Sequence, residues 1–500
     1  MDGDDGLEIK WDPPNRNGVF RVRIRRNGEL LHADEVCISR QSARRTFIRN
    51  ACGKIHALKP EDLEAKLLRI LDQQERAARK AQPSEPIEIE VSRIVRPERF
   101  ISSDVSGLTV ATVTMDAGKP VGRWAMYLRW SDGTRKCMDL CESLDLADGS
   151  RLWIQPQPGE PEGAREPQWS ARSRKAWQAG EAAPDAAELL RRIFERIAYY
   201  LDLPTEYAKG IAGTLGLWTV FTYVHAAWDS VPYLYFGGPA GSGKSRTFEV
   251  LRRMVFRPLS SSSMTGPALF RTLHNLGGTL LMDEAERLRS TSPEVGELLS
   301  MLLAGYQRGG RATRLEGDST EYRTREFDVF GPKALACIAG LPPALMSRCI
   351  PVTMFRAGPG SVKPRRRLDE DPAKWSGIRD ELHILCLEHG PAWLELSRRD
   401  DVCPEMTGRH YELWQPLLAL ASWFEEQGAG GLLNLMQEHA LLTIESVRDD
   451  ETPDVDVLLL RTLAGLALEG YEPTPTEVLS RAREEEADSF IRWTMRPRGG

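Results

Sequence analysis

The sequence predicts an α/β P-loop core built on a parallel sheet. We expect α+β and β-rich N-terminal domains before this core, and an α-helical lid and C-terminal domain after it. Two observations indicate the core. An apolar strand at 231–237 runs directly into a glycine-rich loop and then into an amphipathic helix. A second apolar strand, at 278–282, ends in two adjacent carboxylates. Strand, loop and helix in this order form a phosphate-binding unit.

Length and composition are those of a globular protein of several domains. The 500 residues correspond to about three domains at ~150 residues each. Hydrophobic residues make up 41% and charged residues 28% of the chain, which excludes a disordered or low-complexity protein. The formal net charge of −6 excludes a uniformly basic surface but permits a local basic groove.

Cysteine usage and the N-terminal segment indicate the compartment. The eight cysteines form no CxxC pair, so we expect reduced thiols and neither disulfides nor a zinc site. The first twelve residues are acidic and polar, unlike a signal peptide. No run approaches the ~18–20 apolar residues of a membrane span. The sequence therefore predicts a cytoplasmic protein without a membrane partner.

Five segments are expected along the chain from its hydrophobic periodicity and its Pro- and Gly-rich breaks. They are a small α+β domain at 1–82, a β-rich accessory domain with a Pro/Gly linker at 83–168, a helical segment at 169–229, the P-loop core at 230–358, and the helical lid and C-terminal domain at 359–500.

The first of these domains contains a basic strand. Arginines alternate with apolar residues over 19–25, and Asn27-Gly28 then predicts a type I′ turn into a second strand. The arginines face one way and the apolar residues mostly the other. Two interpretations stay open for this arginine face, namely a nucleic-acid-binding surface and an ordinary solvated strand face.

The β-rich accessory domain shows no catalytic pattern. Residues 87–91 alternate, and the strand at 124–130 meets a hairpin signal at 131–133. We expect an accessory binding domain or a structural collar, followed by a linker at 155–163. A protein partner for residues 1–160 is one further hypothesis.

The glycine-rich loop carries the most specific signal, because residues 238–245 match GxxxxGK[ST] in full. Glycines let successive backbone amides turn toward phosphate oxygens, and the following helix adds partial positive charge. Lys244 is expected to reach the β- and γ-phosphates, and the Ser245 hydroxyl to bind Mg²⁺. The expected nucleotide-binding residues are Gly238, Pro239, Ala240, Gly241, Ser242, Gly243, Lys244, Ser245 and Arg246.

The acidic pair follows the loop by 39 residues. Asp283 at the tip of its strand is expected to hold Mg²⁺, directly or through water, and to contact the nucleotide. Glu284 is expected to polarise the water that attacks the γ-phosphate. Alone, such a pair is more often a solvated strand end, but beside a P-loop it indicates hydrolysis.

A β-hairpin is predicted between the acidic strand and the next core strand, after an apolar helix at about 295–306. Residues 301–333 contain six basic and five acidic residues. Two interpretations stay open for its arginines: sequence-independent contact with a nucleic-acid strand, or a salt-bridged subunit interface. The candidate nucleic-acid contacts are Arg308, Arg311, Arg314, Arg323 and Arg325.

Arg348 lies between two predicted core elements, where a solitary arginine requires an anionic partner. We expect an arginine finger that reaches the γ-phosphate on a neighbouring subunit. An intramolecular ion pair is the alternative. Near the end of the chain, Thr474-Pro475-Thr476-Glu477 predicts a capped helix, which would open a small winged-helix-like tail.

Residues 215–354 resemble the helicase-like AAA+ ATPases carried by phages, plasmids and integrated elements. The likeness is carried by YLYFGGPAGSGKSR, GGTLLMDEAERL, LLAGYQRGGRATR and FGPKALACIAGLPPALMSRCIPV. The resemblance implies an AAA+-like five-stranded parallel sheet with a helical lid, the ligands ATP and Mg²⁺, and a homo-oligomeric ring, often hexameric. It also implies the roles already expected for Lys244, Ser245, Asp283, Glu284 and the trans-acting Arg348.

One position departs from that family. Such ATPases place Asn, Ser or Thr at the end of the fourth strand to orient the attacking water, whereas residues 339–341 here are Ala-Gly-Leu. A priming active site is also not evident in the first 180 residues. Two functions therefore compete: a DNA helicase or translocase threaded by single-stranded nucleic acid, and an ATP-gated switch or scaffold with slow hydrolysis that binds a protein partner.

Overall fold

The chain forms two compact units, Met1–Glu90 and Val91–Gly500. The five-part division expected from the sequence stays a prediction. The strand expected at 87–91 and the linker at 155–163 lie outside the described residues. The computed structural model describes residues 7–11, 20–36, 41–55, 59–65, 68–69, 93–96, 99–116, 118–154, 169–261, 266–290, 292–318, 321–451, 454–468, 470 and 473–485.

The first unit is a three-stranded antiparallel sheet with a helix on one face. The strands β1 (Leu7–Trp11), β2 (Phe20–Arg26) and β3 (Glu29–Val36) lie in that order, and α1 (Gln41–Lys54) follows. Asn27 and Gly28 have φ values of 49° and 88°, as the predicted type I′ turn requires. The core side chains are Phe20, Val22, Ile24, Val36, Phe47, Ile48, Ala51, Ile55 and Leu63.

The second unit begins with two small sheets. One is antiparallel, with strands β5 to β8 in sequence order, and the other has the order β4-β10-β9. The predicted hairpin at 131–133 is present between β7 and β8. The strands are β4 (Arg93–Val95), β5 (Phe100–Ile101), β6 (Val105–Asp116), β7 (Lys119–Trp130), β8 (Arg135–Asp139), β9 (Ser143–Asp145) and β10 (Arg151–Ile154).

The antiparallel sheet packs on a long helix of the C-terminal part, α9 (Pro372–Leu396). Glu388 of α9 accepts hydrogen bonds or ion pairs from Arg129 at 2.6 Å, Arg135 at 2.8 Å and the Trp177 indole at 2.7 Å. A buried carboxylate with three donors is fully satisfied, so the β-rich segment is fixed to the helices behind the parallel sheet.

Three helices precede the parallel sheet: α2 (Ala171–Gln178), α3 (Ala186–Tyr200) and α4 (Ala208–Val224). In α4, residues 210–224 are all buried, as expected for a helix that is apolar on every side.

The predicted five-stranded parallel sheet is confirmed, with strand order β12-β13-β16-β11-β17. The order reverses around β11, since the chain leaves β11 toward one edge and returns across it to β17. Ligands of parallel sheets bind at such reversal points, outside the carboxyl ends of the strands. The strands are β11 (Tyr233–Gly237), β12 (Pro258–Ser261), β13 (Thr279–Met282), β16 (Lys333–Cys337) and β17 (Cys349–Thr353).

The connections of this sheet carry the predicted hairpin. Its strands β14 (Arg311–Asp318) and β15 (Glu321–Asp328) pair along their full length between β13 and β16 in the chain. The surrounding helices are α5 (Lys244–Arg252), α6 (Gly266–Leu276), α7 (Pro293–Ala304) and α8 (Pro343–Met346).

The C-terminal part is helical, as expected, although its role as a lid stays a prediction. After α9 come α10 (Gly408–Glu426), α11 (Leu432–Glu451), α12 (Asp454–Leu468) and α13 (Pro475–Glu485). The predicted capping box is present, because Thr474 N donates to Glu477 Oε2 at 2.8 Å and Glu477 N donates to Thr474 Oγ1 at 3.4 Å. The remainder of the winged-helix hypothesis, 486–500, lies outside the described residues.

No helix in the described segments combines the length and the apolar character needed to cross a bilayer. The seven cysteines of the described segments are all free thiols.

Candidate functional site

The loop at 238–243 connects β11 to α5 at the reversal point of the sheet. Gly238, Gly241 and Gly243 have φ values of 144°, 77° and 89°, which side-chain-bearing residues rarely adopt. A Cβ on Gly238 would also lie 2.2 Å from the carbonyl oxygen of Met354. The backbone path itself therefore requires glycine here, and the loop ends at the amino end of α5, where unpaired amides favour an anion.

Lys244 is the first residue of α5 and reaches back across the loop. Its Nζ donates to the carbonyl oxygens of Gly238 at 2.7 Å and Pro239 at 2.9 Å. These acceptors are neutral, and an ammonium forms stronger bonds with an anion. A phosphate oxygen at the loop can therefore replace them with a gain in energy.

Ser245 and Asp283 meet although 38 residues separate them in the chain. The Ser245 hydroxyl donates to Asp283 Oδ2 at 2.6 Å. Asp283 directly follows β13, and β16 lies between β13 and β11. The pair places two oxygens of the kind that Mg²⁺ prefers beside the loop. No group of three or more His, Cys, Asp or Glu in the described segments forms another metal site.

Glu284 has a strained backbone. Its φ and ψ are 57° and 47°, and it is one of three residues other than glycine with positive φ in the described ranges. Its amide donates to Asp283 Oδ1 at 3.0 Å, and its side chain is exposed. Such strain is retained where a side chain must be held in one direction.

The end of β16 lies between the loop and Asp283. Its residues supply no hydroxyl or amide side chain, but two groups from the neighbouring turn reach it. Glu286 Oε1 accepts from the Ile338 amide at 2.6 Å, and Arg289 donates to the Ala339 carbonyl oxygen. Polar groups therefore border this position, although none comes from the strand itself.

Arg348 lies at the opposite end of the sheet from the loop. It precedes β17, whose first residue Cys349 pairs with Tyr233 at the start of β11, so the length of a five-residue strand, ~16 Å, separates it from the loop. Its contacts are the Ala344 carbonyl oxygen at 2.5 Å and the Tyr306 ring at 5.7 Å. None of the described residues supplies an acidic partner for Arg348, so the alternative intramolecular ion pair is not found among them.

Arg246, expected to bind nucleotide, is already engaged. Its guanidinium donates to the carbonyl oxygens of Lys363 and Arg366 and lies 5.6 Å from the centre of the Tyr200 ring. Burial lowers its pKa from the usual value. These bonds tie α5 to the segment after β17, and Arg246 also lines the cavity that borders Gly241 and Gly243.

The guanidinium group of Arg308 is also bonded to other residues of the chain. Its Nε pairs with Asp229 at 2.8 Å, and its Nη2 donates to the carbonyl oxygens of Ala226 and Trp228, each at 2.7 Å. These contacts hold the base of the hairpin to the turn before β11.

The hairpin arginines divide between two faces. In the strand register Arg314 lies directly opposite Arg325, whereas Arg311 occupies the alternate position and so the other face. Arg311 pairs with Glu326 at 2.5 Å. The backbone of Arg323, two positions before Arg325, pairs with that of Glu316.

Arg314 and Arg325 lie directly opposite each other, so two like charges are close together, and Glu297 beside Arg314 offsets them in part. Arg314 lies over the Phe270 ring at 5.2 Å and is 3.7 Å from Glu297. Arg325 lies over the Phe327 ring at 5.2 Å and is exposed. This face therefore carries the two opposed arginines of the hairpin, and the register also places Glu316 on it, opposite Arg323.

Sequence reasoning missed a cavity beside the loop. It measures about 160 Å³ and joins Gly241 and Gly243 to an apolar wall. Arg356, also missed, donates to the Ala240 carbonyl oxygen at 3.0 Å. No local pattern marks these residues, because distant segments bring them together. The wall is lined by Tyr200, Leu201, Met354, Phe355 and Pro364.

Comparisons with known proteins give only weak likenesses. No protein-family model and no curated protein matches the sequence. Among solved structures, the SCCmec type IV Cch active helicase is 12% identical, with a TM-score of 0.34 over 91% of this chain and 78% of that one.

Two further structures are similar at the same level. The NrS-1 C-terminal region is 11% identical with a TM-score of 0.26, over 92% of this chain and 79% of that chain. The inhibitor-bound JCV helicase is 13% identical with a TM-score of 0.23, over 49% and 74%. TM-scores this low do not establish a shared fold, so the function has to be inferred from the site itself.

Proposed function

We propose that the chain is an ATP-hydrolysing, ring-forming motor of the AAA+ type that moves along single-stranded nucleic acid, a DNA helicase or translocase of a mobile-element or replication system. The observation that carries this proposal is the 2.6 Å contact between Ser245 and Asp283 beside a complete glycine loop. Helix α5 would supply Ser245 and the end of β13 would supply Asp283, the two metal ligands that a nucleoside triphosphatase needs.

The chain's own residues then perform the chemistry in order. The loop amides and Lys244 bind the phosphates, and Ser245 with Asp283 would hold Mg²⁺, which supplies Lewis-acid stabilisation of the phosphoryl oxygens. Glu284 accepts a proton from the attacking water as general base.

The cavity beside the loop suits the base of the nucleotide. A mostly apolar wall with a few polar groups beside it is typical of a cofactor or nucleotide site. The phosphate end is at Gly241 and Gly243, so the base would lie against Tyr200 and Phe355.

The position of Arg348 is consistent with the proposal that the chain assembles into a ring. It lacks an acidic partner among the described residues and lies ~16 Å from the loop of its own subunit. An arginine in this position acts on a phosphate only if the phosphate belongs to another subunit. Stabilisation of transferring phosphoryl charge by such an arginine is a recognised device of nucleotide hydrolysis.

The face with Arg314 and Arg325 is the proposed contact for nucleic acid. Phosphate oxygens between the two guanidiniums would relieve their mutual repulsion. Arg311 takes no part, because its ion pair with Glu326 lies on the opposite face.

One observation favours a second function, an ATP-gated switch that binds a protein partner. No hydroxyl or amide side chain lies at the end of β16, where water would be oriented, so hydrolysis would be slow. A switch predicts ATP-dependent oligomers whose ATPase activity does not respond to nucleic acid.

An ATPase assay with and without single-stranded DNA separates the two functions. We expect DNA to stimulate turnover, and the double variant Arg314→Ala with Arg325→Ala to lose most of the stimulation while keeping basal turnover. Arg311→Ala is the matched control from the other face and should keep the stimulation. Equal stimulation in the double variant would exclude the hairpin contact, and the lack of any stimulation in the parent protein would favour the switch.

A further inference from the structure

The three-stranded sheet of the first unit has one face without a covering element among the described residues. The helix α1 lies on the other face, where its Phe47 and Ile48 share one hydrophobic core with Val22 and Ile24 of β2. Strand alternation places the intervening residues of β2 on the uncovered face. We call this uncovered side the open face.

The open face is basic along its central strand. Arg21, Arg23 and Arg25 occupy consecutive outward positions of β2, and Lys10 of β1 pairs with Arg23 in the register. Two acidic residues border these cations. In the strand register, Glu8 of β1 lies opposite Arg25, and Glu35 of β3 lies opposite Arg21. The cations outnumber the acids on this face by four to two.

The charge stands out against the rest of the protein. Strand β2, residues 20–26, contains four basic and no acidic residues, whereas the whole chain has a net charge of −6. Concentrated positive charge in an acidic protein is the electrostatic footprint of a polyanion site.

The composition of the open face favours a duplex over a single strand. Outward residues of one β-strand are ~6.8 Å apart, so the three arginines of β2 form a row of charges that can follow a phosphate backbone. Proteins that bind single strands without sequence preference stack bases on aromatic side chains. The described outward residues of the open face include none that is aromatic; they are Glu8, Lys10, Arg21, Arg23, Arg25, Leu30, Ala33 and Glu35.

We propose that the open face of the first unit is a second nucleic-acid site, which binds the phosphate backbone of duplex DNA. This site is separate from the hairpin contact with a single strand and needs no nucleotide. A duplex groove ~12 Å wide admits β-strands, and arginines on a sheet surface can contact the phosphates on its edges. The first unit would then hold the chain on the duplex from which a single strand is taken.

Binding of a fluorescent 20-base-pair duplex to the full chain, without nucleotide, tests the proposal. The triple variant Arg21→Gln, Arg23→Gln and Arg25→Gln should lose about tenfold or more in affinity, and the slope of log K against log salt should fall by about 2 to 3. The control Arg45→Gln, Arg49→Gln and Lys54→Gln removes the same charge from exposed positions of α1 and should bind within about twofold of the parent.

Two further variants keep the outcome interpretable. The triple Arg→Lys variant at 21, 23 and 25 retains the charge and should recover most of the affinity, which excludes misfolding as the cause. Lys244→Ala should bind the duplex like the parent, because the site is independent of ATP. If the Gln variant kept its affinity and salt slope, or if the α1 control weakened binding equally, the open face would not be a duplex site.

Discussion

The two ends of the five-stranded sheet both hold a lysine bonded to backbone carbonyls, but in opposite settings. At the carboxyl end, Lys244 is half-buried and lies beside the exposed Ser245 and Glu284. At the amino end, Lys333 is completely buried, and its Nζ donates to Val329 and Gly331 at 2.9 Å each.

The ammonium group of Lys333, at the amino end of the sheet, is surrounded by acceptors from the chain itself. Its Nζ also lies 3.3 Å from the Gly305 carbonyl oxygen and 4.8 Å from the centre of the Tyr233 ring. Burial lowers the pKa of Lys333 to about 7. A lysine enclosed in this way stabilises the turn below the hairpin and is closed to a ligand, whereas Lys244 remains within reach of one. Both residues are lysines bonded to backbone carbonyls. Their exposure to solvent, and not their residue type, therefore decides which of them can contact a ligand.

The largest effect is expected from Lys244→Ala at the carboxyl end. The loop loses the ammonium group that reaches back across it from the start of α5, so ATP turnover should fall by about 100-fold or more. The exposed Lys209→Ala is the matched control and should leave turnover unchanged. ATP binding by the full chain and steady-state phosphate release are the measurements. Normal turnover in Lys244→Ala would remove the basis of the site.

The next effect is expected from Arg348→Ala at the amino end. Turnover should fall by about 10- to 100-fold although nucleotide still binds, because the residue acts on a neighbouring subunit. The control is Arg409→Ala, since Arg409 also lies over Tyr306, at 4.8 Å, but is paired with Glu412 at 2.7 Å.

Mixing distinguishes action in trans from a structural role of Arg348. Arg348→Ala subunits keep an intact loop, and Lys244→Ala subunits keep the arginine. A mixture of the two inactive variants should therefore regain part of the turnover. If no mixing ratio restores activity, while each variant still assembles, Arg348 does not act between subunits.

The smallest effect concerns stability and Lys333. The folded-state pKa is about 7, and the unfolded value is near 10.4, so between these values the unfolded chain binds more protons. Stability should therefore rise with pH across this window and level off below its lower limit.

Lys333→Met removes that titrating group. We expect the variant to lose about 1–3 kcal/mol at pH 7, because three carbonyl oxygens lose a donor, and to show a weaker rise in stability from pH 7 to 10. Urea unfolding followed by Trp fluorescence at several pH values measures both. The same pH dependence in variant and parent would show that Lys333 is not the group responsible.

Much of the site could be predicted from the sequence because its signals are local. The loop at 238–245 needs glycine at fixed positions for its backbone path, and those positions are adjacent in the chain. Asp283 was predicted because an apolar strand that ends in a carboxylate is a local pattern too. The structure adds the contact that joins the two, the bond from Ser245 to Asp283 at 2.6 Å.

The arginines could not be assigned in this way. Arg246 and Arg308 follow the same local patterns as phosphate-binding residues, yet backbone carbonyls and Asp229 occupy them. Arg311 and Arg314 are three positions apart and therefore lie on opposite faces of one strand. The cavity wall with Tyr200 and Phe355 had no signal, since its residues come from segments more than 150 positions apart.

The sequence by itself determined the strand, glycine loop and helix at 233–252, the acidic pair at 283–284 and the hairpin, because these depend on backbone conformation and on the period of apolar residues over short stretches. Only the tertiary structure decided which cations are accessible, which lie on one face and which lie too far from their own loop. The physical reason is that burial and charge pairing depend on neighbours in space, which chain positions do not specify.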